Sequence, residues 1–308
     1  MSLEALANIL GGETLQLADV GASYFLPDTW AYLLPLPTSR FVLFDPVGTN
    51  LAYASKLPPE KVRVVPTALS KDGGAAEFFL AHVDSGSSLF PPHPWPSRPP
   101  LNHDYFFPLK VIDIETKTMG ACLDEHGIEA VDAIKLDTQG SELDIVKGLD
   151  PARLARVLLV EMEVSMDSHP TQLGSVKLPE VIAFFESHGF RYINTRIARR
   201  SLKATGCEDN GATIAAQHEA DVLFVKDIMN MEHPDTASFL KTLRRLLTLL
   251  CAYYMHGDAK ETLQVAASFL PAARPTLAAF ESWINQVADV QAAHLKAGGQ
   301  SLWHRDHT

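Results

Sequence analysis

The segment IKLDTQGSELDIVKG, from Ile134 to Gly148, decides how this chain is read. An apolar run ends in an acid, Asp137. The chain then turns through Gly140, and a second acid, Glu142, opens an amphipathic stretch. A strand buried in a core has no structural use for a carboxylate at its tip, whereas a ligand-binding strand does. Open parallel sheets bind their ligands beyond the carboxyl ends of the strands, and Asp137 marks such an end.

The pattern repeats on both sides of this segment. LQLADV ends at Val20, RFVLFD ends at Asp45, KVRVVPTALS begins at Lys61, VDAIKLD ends at Asp137 and ARVLLVEMEV ends at Val164. Amphipathic segments lie between several of them: TNLAYASKL, TKTMGACLDEHG, ELDIVKGL and LPEVIAFFESHGF. Strands alternating with helices imply right-handed crossovers and a parallel sheet covered on both faces. FRYINTRIA and EADVLFVK have no long helix between them, so the last pairing is expected to be antiparallel. Two features interrupt the alternation. AAEFFLAHV and FFPLKVIDIE flank a loop with six prolines between Pro91 and Pro100, which is neither helix nor interior strand. With His93, Trp95 and His103 it is a candidate lid. From about Asp227 the chain has Leu, Ala and Tyr at helical spacing, with a break expected at Gly257 and a further helix in PTLAAFESWINQVADVQAAHLK. The expected division is a domain over residues 1–227 and a helical appendage over 228–308. The appendage would pack against the domain, join a second copy in a homo-oligomer, or close over the substrate as a lid.

Bulk composition sets limits. The 308 residues are 46% hydrophobic, with 26 basic and 37 acidic residues and a formal net charge of −11. This balance excludes a basic footprint for nucleic acid but leaves room for a small-molecule site. Three widely spaced cysteines without a CxxC exclude a zinc ribbon and a disulfide framework, which fits a reduced, cytoplasmic setting. The N-terminus lacks a basic region followed by an apolar run, and no apolar stretch approaches the roughly 20 residues that span a bilayer.

The strand ends carry the candidate chemistry. The first delivers Asp19, Gly21, Ala22 and Ser23, small residues that admit close backbone approach to a ligand. The second delivers Asp45 and Pro46, 26 residues after Asp19, a spacing that suits an acid accepting hydrogen bonds from ribose hydroxyls. The third delivers Thr67, Ala68, Leu69 and Ser70. The next two deliver Asp137, then Glu161 and Glu163. Singly, each acid has a structural explanation as a turn or helix-start residue. Together they would repel one another unless polar or cationic groups lie among them. Only Gly21 matches a dinucleotide fingerprint, and no phosphate loop is present. A nucleoside without phosphates, carrying a cationic centre, fits this rim, and S-adenosylmethionine is such a molecule.

The segments LADVGAS, FVLFDP, TALSKDGGAAEFF, SGSSLF, VDAIKLDTQGSELDIVKG, VLLVEMEV and ADVLFVK, in that order over Leu15 to Lys226, resemble the FkbM-type family of S-adenosylmethionine-dependent methyltransferases. Lys135, Asp137, Gly140, Glu142 and Gly148 match that family's central motif. Ser23, Phe25, Asp45 and Gln139 stand where the family more usually carries asparagine, glycine, glutamate and glutamate. The resemblance implies a Rossmann-like α/β fold, a seven-stranded methyltransferase sheet with its last strand reversed. It implies that Asp19, Gly21, Ala22, Ser23, Asp45, Pro46, Thr67, Ala68, Leu69 and Asp137 line the cofactor. Asp45 would hold the ribose, and Thr67 and Ala68 would flank the adenine. It also implies O-methylation of a sugar or polyketide-like hydroxyl, with Asp137 as base or acceptor-positioning group. Glu163 and His169, beyond the fifth strand, are secondary catalytic candidates. Three alternatives stay open: a divalent metal on Asp137 and Glu163, a catalytically inactive module that binds a partner, and a nicotinamide-dependent oxidoreductase.

Overall fold

The computed structural model describes residues 2–93, 108–166, 172–199 and 217–297. Among these, the strands are β1 (Leu15–Val20), β2 (Ser39–Phe44), β3 (Val62–Val65), β4 (Ala68–Leu69), β5 (Gly74–Ala81), β6 (Pro108–Lys117), β7 (Ala133–Leu136), β8 (Leu159–Ser165), β9 (Phe190–Arg199) and β10 (Gln217–Lys226). They form a seven-stranded sheet in the order β3-β2-β1-β7-β8-β10-β9 and a three-stranded sheet in the order β4-β6-β5. β7 and β8 run parallel, and β10 is antiparallel to both β8 and β9. The sheet is thus mostly parallel with β10 reversed, as the resemblance implies.

One stretch expected as a single strand is two. KVRVVPTALS breaks at Pro66, so β3 ends at Val65 and Ala68–Leu69 leaves to pair with β6 in the small sheet, Ala68 opposite Thr116. Proline lacks the N–H that a continuing ladder requires. TNLAYASKL also falls short of an α-helix, forming a 3-10 turn at Ala52–Lys56 before Pro58 and Pro59.

The chain divides into two compact units, one of Met1–Leu17, Leu26–Phe41 and Asp227–Thr308, the other of Ala18–Phe25 and Val42–Lys226. In the second unit the core is a continuous apolar cluster. Val20, Phe44, Ile134, Leu136, Val160 and Met162 from the strands meet Leu143, Ile145 and Val146 of the Glu142–Lys147 helix and Phe185 of the Leu178–Ser187 helix. Strands buried on both faces explain their near-continuous apolarity.

In the first unit the C-terminal helices share their core with the N-terminal ones. Trp30 Nε1 donates to the Tyr253 hydroxyl at 2.8 Å. Arg244 donates to the Asn8 and Ile9 carbonyls at 3.2 and 3.0 Å, satisfying the open end of the Leu3–Leu10 helix, and lies over the Phe280 ring. The helix break falls at Tyr253–Met255, not at Gly257. Tyr254 takes a left-handed backbone (φ 62°), and Gly257 sits in the first turn of the His256–Phe269 helix, where glycine is tolerated because no intrahelical N–H bond depends on it. Among the described residues no helix is long and apolar enough to cross a membrane.

Candidate active site

The carboxyl ends of β1, β2 and β7, with the small sheet, enclose a cleft of about 460 Å³ measured out to its open mouth. Gly21, Ser23, Asp45, Pro46, Thr67, Ala68, Leu69 and Asp137 line it. Asp19 and Ala22 are buried beside it and do not line it. Glu163 is not a lining residue either, but is bonded to one of its neighbours. His169 lies outside the described residues, as do Trp95, His103 and the prolines from Pro94 to Pro100.

Gly21 makes the cleft possible. Its φ is 81°, and a Cβ placed there would lie 1.9 Å from the Asp137 carbonyl oxygen. The two strand ends touch through backbone: the Asp137 N–H donates to the Val20 carbonyl at 3.0 Å, and the Gly21 N–H to the Phe44 carbonyl at 2.9 Å. Asp45 is held in place by three neighbours. Oδ1 accepts from the Val47 N–H at 2.7 Å and from Asn50 Nδ2 at 3.2 Å, and Oδ2 accepts from Ser23 Oγ at 3.2 Å and from Asn50 Nδ2 at 3.2 Å. Burial pushes its carboxyl up to about 6, against those hydrogen bonds. Ser23, where the family more usually has asparagine, is therefore one of the groups that hold Asp45.

The question of why Glu142 follows Asp137 has a geometric answer. Glu142 Oε1 accepts from the Thr138 N–H at 2.8 Å and from the Gly140 N–H at 3.0 Å, and Oε2 accepts from Gly140 at 3.0 Å. The carboxylate closes the strand-to-helix turn by satisfying N–H groups that the helix cannot. It is only 3% exposed, and burial raises its carboxyl from 4.5 to about 7 despite those bonds. The folded state thus keeps a proton that the unfolded chain releases. Stability is therefore expected to fall as pH rises from 4.5 to about 7. Asp19 and Asp45, each raised from 3.8 to about 6, act in the same direction. Urea unfolding across this range should show the decline, and Glu142→Gln should flatten it by on the order of 2 to 3 kcal/mol.

The acids at the strand tips do have cations among them. Strand register places Lys135 beside Glu161, Glu163 beside Asp221, and Asp221 beside Arg196, all on one face of the sheet. Lys135 Nζ lies 3.4 Å from Asp137 Oδ2, and Arg196 Nε donates to Asp221 Oδ2 at 2.8 Å. Burial works against the Lys135 ammonium, but Asp137, Asp19, Glu161 and Asp221 together push it up. Asp137 remains about one-third exposed, at 35%, and so reaches the cleft. Burial raises its carboxyl, but Lys135 and the hydrogen bond from Gln139 outweigh this, and the net direction is downward. Gln139 Nε2 donates to both Asp137 Oδ1 and Glu163 Oε2 at 3.0 Å. Behind this layer lie Asp19 Oδ1 and the Tyr53 hydroxyl, both buried and without a hydrogen-bond partner among the described residues. No group of three or more His, Cys, Asp or Glu suited to hold a metal ion is found among the described residues.

Several site residues were not read from the sequence. Phe78, Ser87 and Leu89 line the cleft, and Ser88 bonds the Gln139 carbonyl at 2.8 Å. SGSSLF, one of the segments that carry the resemblance, was the available signal for three of these four. Tyr53 and Arg196 gave none.

Strand order, reversed β10 and a cleft at the carboxyl ends define a methyltransferase-type domain. Residues 19–192, more than half the chain, match the family model described as Methyltransferase FkbM domain, and the chain belongs to that family. No curated protein matches it. Among solved structures, an uncharacterized protein from Listeria monocytogenes serotype 4b is similar at 11% identity over 93% of this chain and 99% of that one, with a TM-score of 0.33. A precorrin-6y C5,15-methyltransferase from Geobacter metallireducens is similar at 10% identity over 72% and 86%, with a TM-score of 0.34. A magnesium protoporphyrin IX methyltransferase from Synechocystis, solved with bound SAH, is similar at 9% over 73% and 82%, also with a TM-score of 0.34. The family assignment rests on the family model and not on these distant likenesses.

Proposed function

We propose that the chain is an S-adenosylmethionine-dependent O-methyltransferase acting on a hydroxyl of a sugar or another small hydroxylated metabolite. The observation that carries this is one cleft with Asp45 at its β2 end and, at its β7 end, a partly exposed Asp137 carboxyl held low by Lys135 and Gln139. The residues present fit the cofactor. Gly21 lets the β1 and β7 ends meet at the cleft wall, where a Cβ would strike the Asp137 carbonyl, Asp45 offers a carboxylate for a diol, and Thr67, Ala68 and Leu69 with Phe78 and Leu89 offer a largely apolar wall. When bound, S-adenosylmethionine supplies an electrophilic methyl group on a sulfonium. That methyl would pass to the acceptor oxygen with S-adenosylhomocysteine leaving, and Asp137 would hold the proton that the acceptor hydroxyl gives up. Lys135 keeps Asp137 ionised for this role.

Ser23 and Gln139 depart from the family's usual pattern, yet both are hydrogen-bonded into the site. This supports a working site over a module that has lost its cofactor. The test is incubation with methyl-labelled S-adenosylmethionine and a panel of sugars and hydroxylated polyketide-like compounds. Label recovered as a methyl ether supports the proposal. Label recovered on nitrogen or carbon overturns the O-specificity.

A further inference from the structure

Gln139 is fixed from several directions. Its carbonyl accepts from Ser88 Oγ at 2.8 Å, and its amide oxygen accepts from Gln172 Nε2 at 3.4 Å. Its amide nitrogen gives one bond at 3.0 Å to each of Asp137 and Glu163. Its backbone is left-handed, φ 60°, a conformation that costs a long side chain roughly 1 kcal/mol or more. Nothing about the turn requires that residue type there. What the conformation achieves is to aim two N–H groups at two different carboxyls.

Two neighbouring carboxyls do not readily ionise together. A glutamine amide has two donors and no charge, so it can serve both without adding a like charge. The groups around the pair are unequal. Lys135 of β7 stands on the Asp137 side. Glu163 of β8 faces Asp221 and Glu219 of β10 and, from the helix after β7, Glu142. Arg196 of β9 is held by Asp221. The cation therefore favours charge on Asp137, while the anions disfavour it on Glu163. Titration points the same way. Burial, followed by Asp137, Glu219, Asp221 and Glu142, pushes Glu163 well above the usual carboxylate range.

Resting on the methyltransferase reading above, we propose that Gln139 is a positioning residue: its amide joins Asp137 and Glu163 into one unit in which Asp137 takes the acceptor's proton and Glu163 bears a proton of its own. A glutamate at this place would add a third carboxyl, which would itself have to stay protonated to donate at all.

The experiment is an infrared pH titration of the full chain, with the Glu163 carboxylic-acid band assigned by its loss in Glu163→Gln. The unmodified protein should keep that band well above the ordinary glutamate range. Gln139→Leu removes a donor to the ionised form, and Gln139→Glu also adds a charge. The band's midpoint should therefore rise in Gln139→Leu and rise further, by about one pH unit or more, in Gln139→Glu. A merely structural role would lower the melting temperature without this ordered shift. An ordinary midpoint in the unmodified protein, or one midpoint shared by it and Gln139→Leu, overturns the proposal even if Gln139→Glu does not fold. S-adenosylhomocysteine titration of the unmodified protein runs alongside. Failure to bind refutes the methyltransferase reading and with it the role given to the pair, whereas binding without the ordered shift refutes the Gln139 role alone.

Discussion

Gly21→Ala is expected to disrupt the cleft and to cost about 3 to 5 kcal/mol of stability, with no soluble protein at the upper end of that range. The added Cβ would stand 1.9 Å from the Asp137 carbonyl oxygen and 2.7 Å from its carbon. Neither backbone is free to yield. The Gly21 N–H is committed to Phe44 of β2, and the Asp137 N–H to Val20 of β1. A shift at either point would part strands whose pairing defines the sheet centre. Gly12→Ala is the control. Gly12 has the same φ of 81°, but a Cβ there meets nothing within 4 Å. Its cost should be limited to the backbone term, about 1 kcal/mol. Urea unfolding of the two variants separates collision from conformational strain, and equal losses would contradict the account of Gly21.

Asp137→Asn is expected to lower turnover by about 10²- to 10⁴-fold once an acceptor is in hand, the range for loss of a general base. The amide is isosteric and can still bond Gln139 by its oxygen, so the cleft should keep its shape. S-adenosylhomocysteine affinity should accordingly change by less than about tenfold, within the reach of one surface-accessible polar contact. Steady-state kinetics beside a binding titration distinguishes the two effects. Unchanged turnover in the asparagine variant would remove Asp137 from the chemistry and leave it a structural partner of Lys135.

The strand ends were legible in the sequence because each is local. An apolar run, an acid and a small residue are read within a few positions, and Asp19, Asp45, Asp137 and Glu163 all fall where those runs end. The compensating charges were harder to see. Lys135 sits inside the motif, but its partner Glu161 and the Glu163–Asp221–Arg196 row exist only through register between β7, β8, β10 and β9. Register across four strands is not written in any one of them. Pro66 was a readable signal that its neighbours' β-branched residues obscured. The N-terminal and C-terminal helices share one core through Trp30, Tyr253 and Arg244, contacts more than 200 positions apart. Helical spacing shows that such faces exist but not what covers them. Glu142 was legible as a residue that stabilises the helix start or reaches back to fix the turn; that it holds the Thr138 and Gly140 N–H groups became clear only from the turn's shape.

The cofactor claim stands or falls on one measurement: calorimetric titration of the full chain with S-adenosylhomocysteine, alongside Asp45→Ala. The account predicts micromolar binding, about −8 kcal/mol, by the unmodified protein. It predicts loss of at least tenfold in Asp45→Ala, because that substitution removes the acceptor which Ser23, Asn50 and Val47 hold at the cleft wall. No binding by the unmodified protein, or equal binding by the variant, would contradict it.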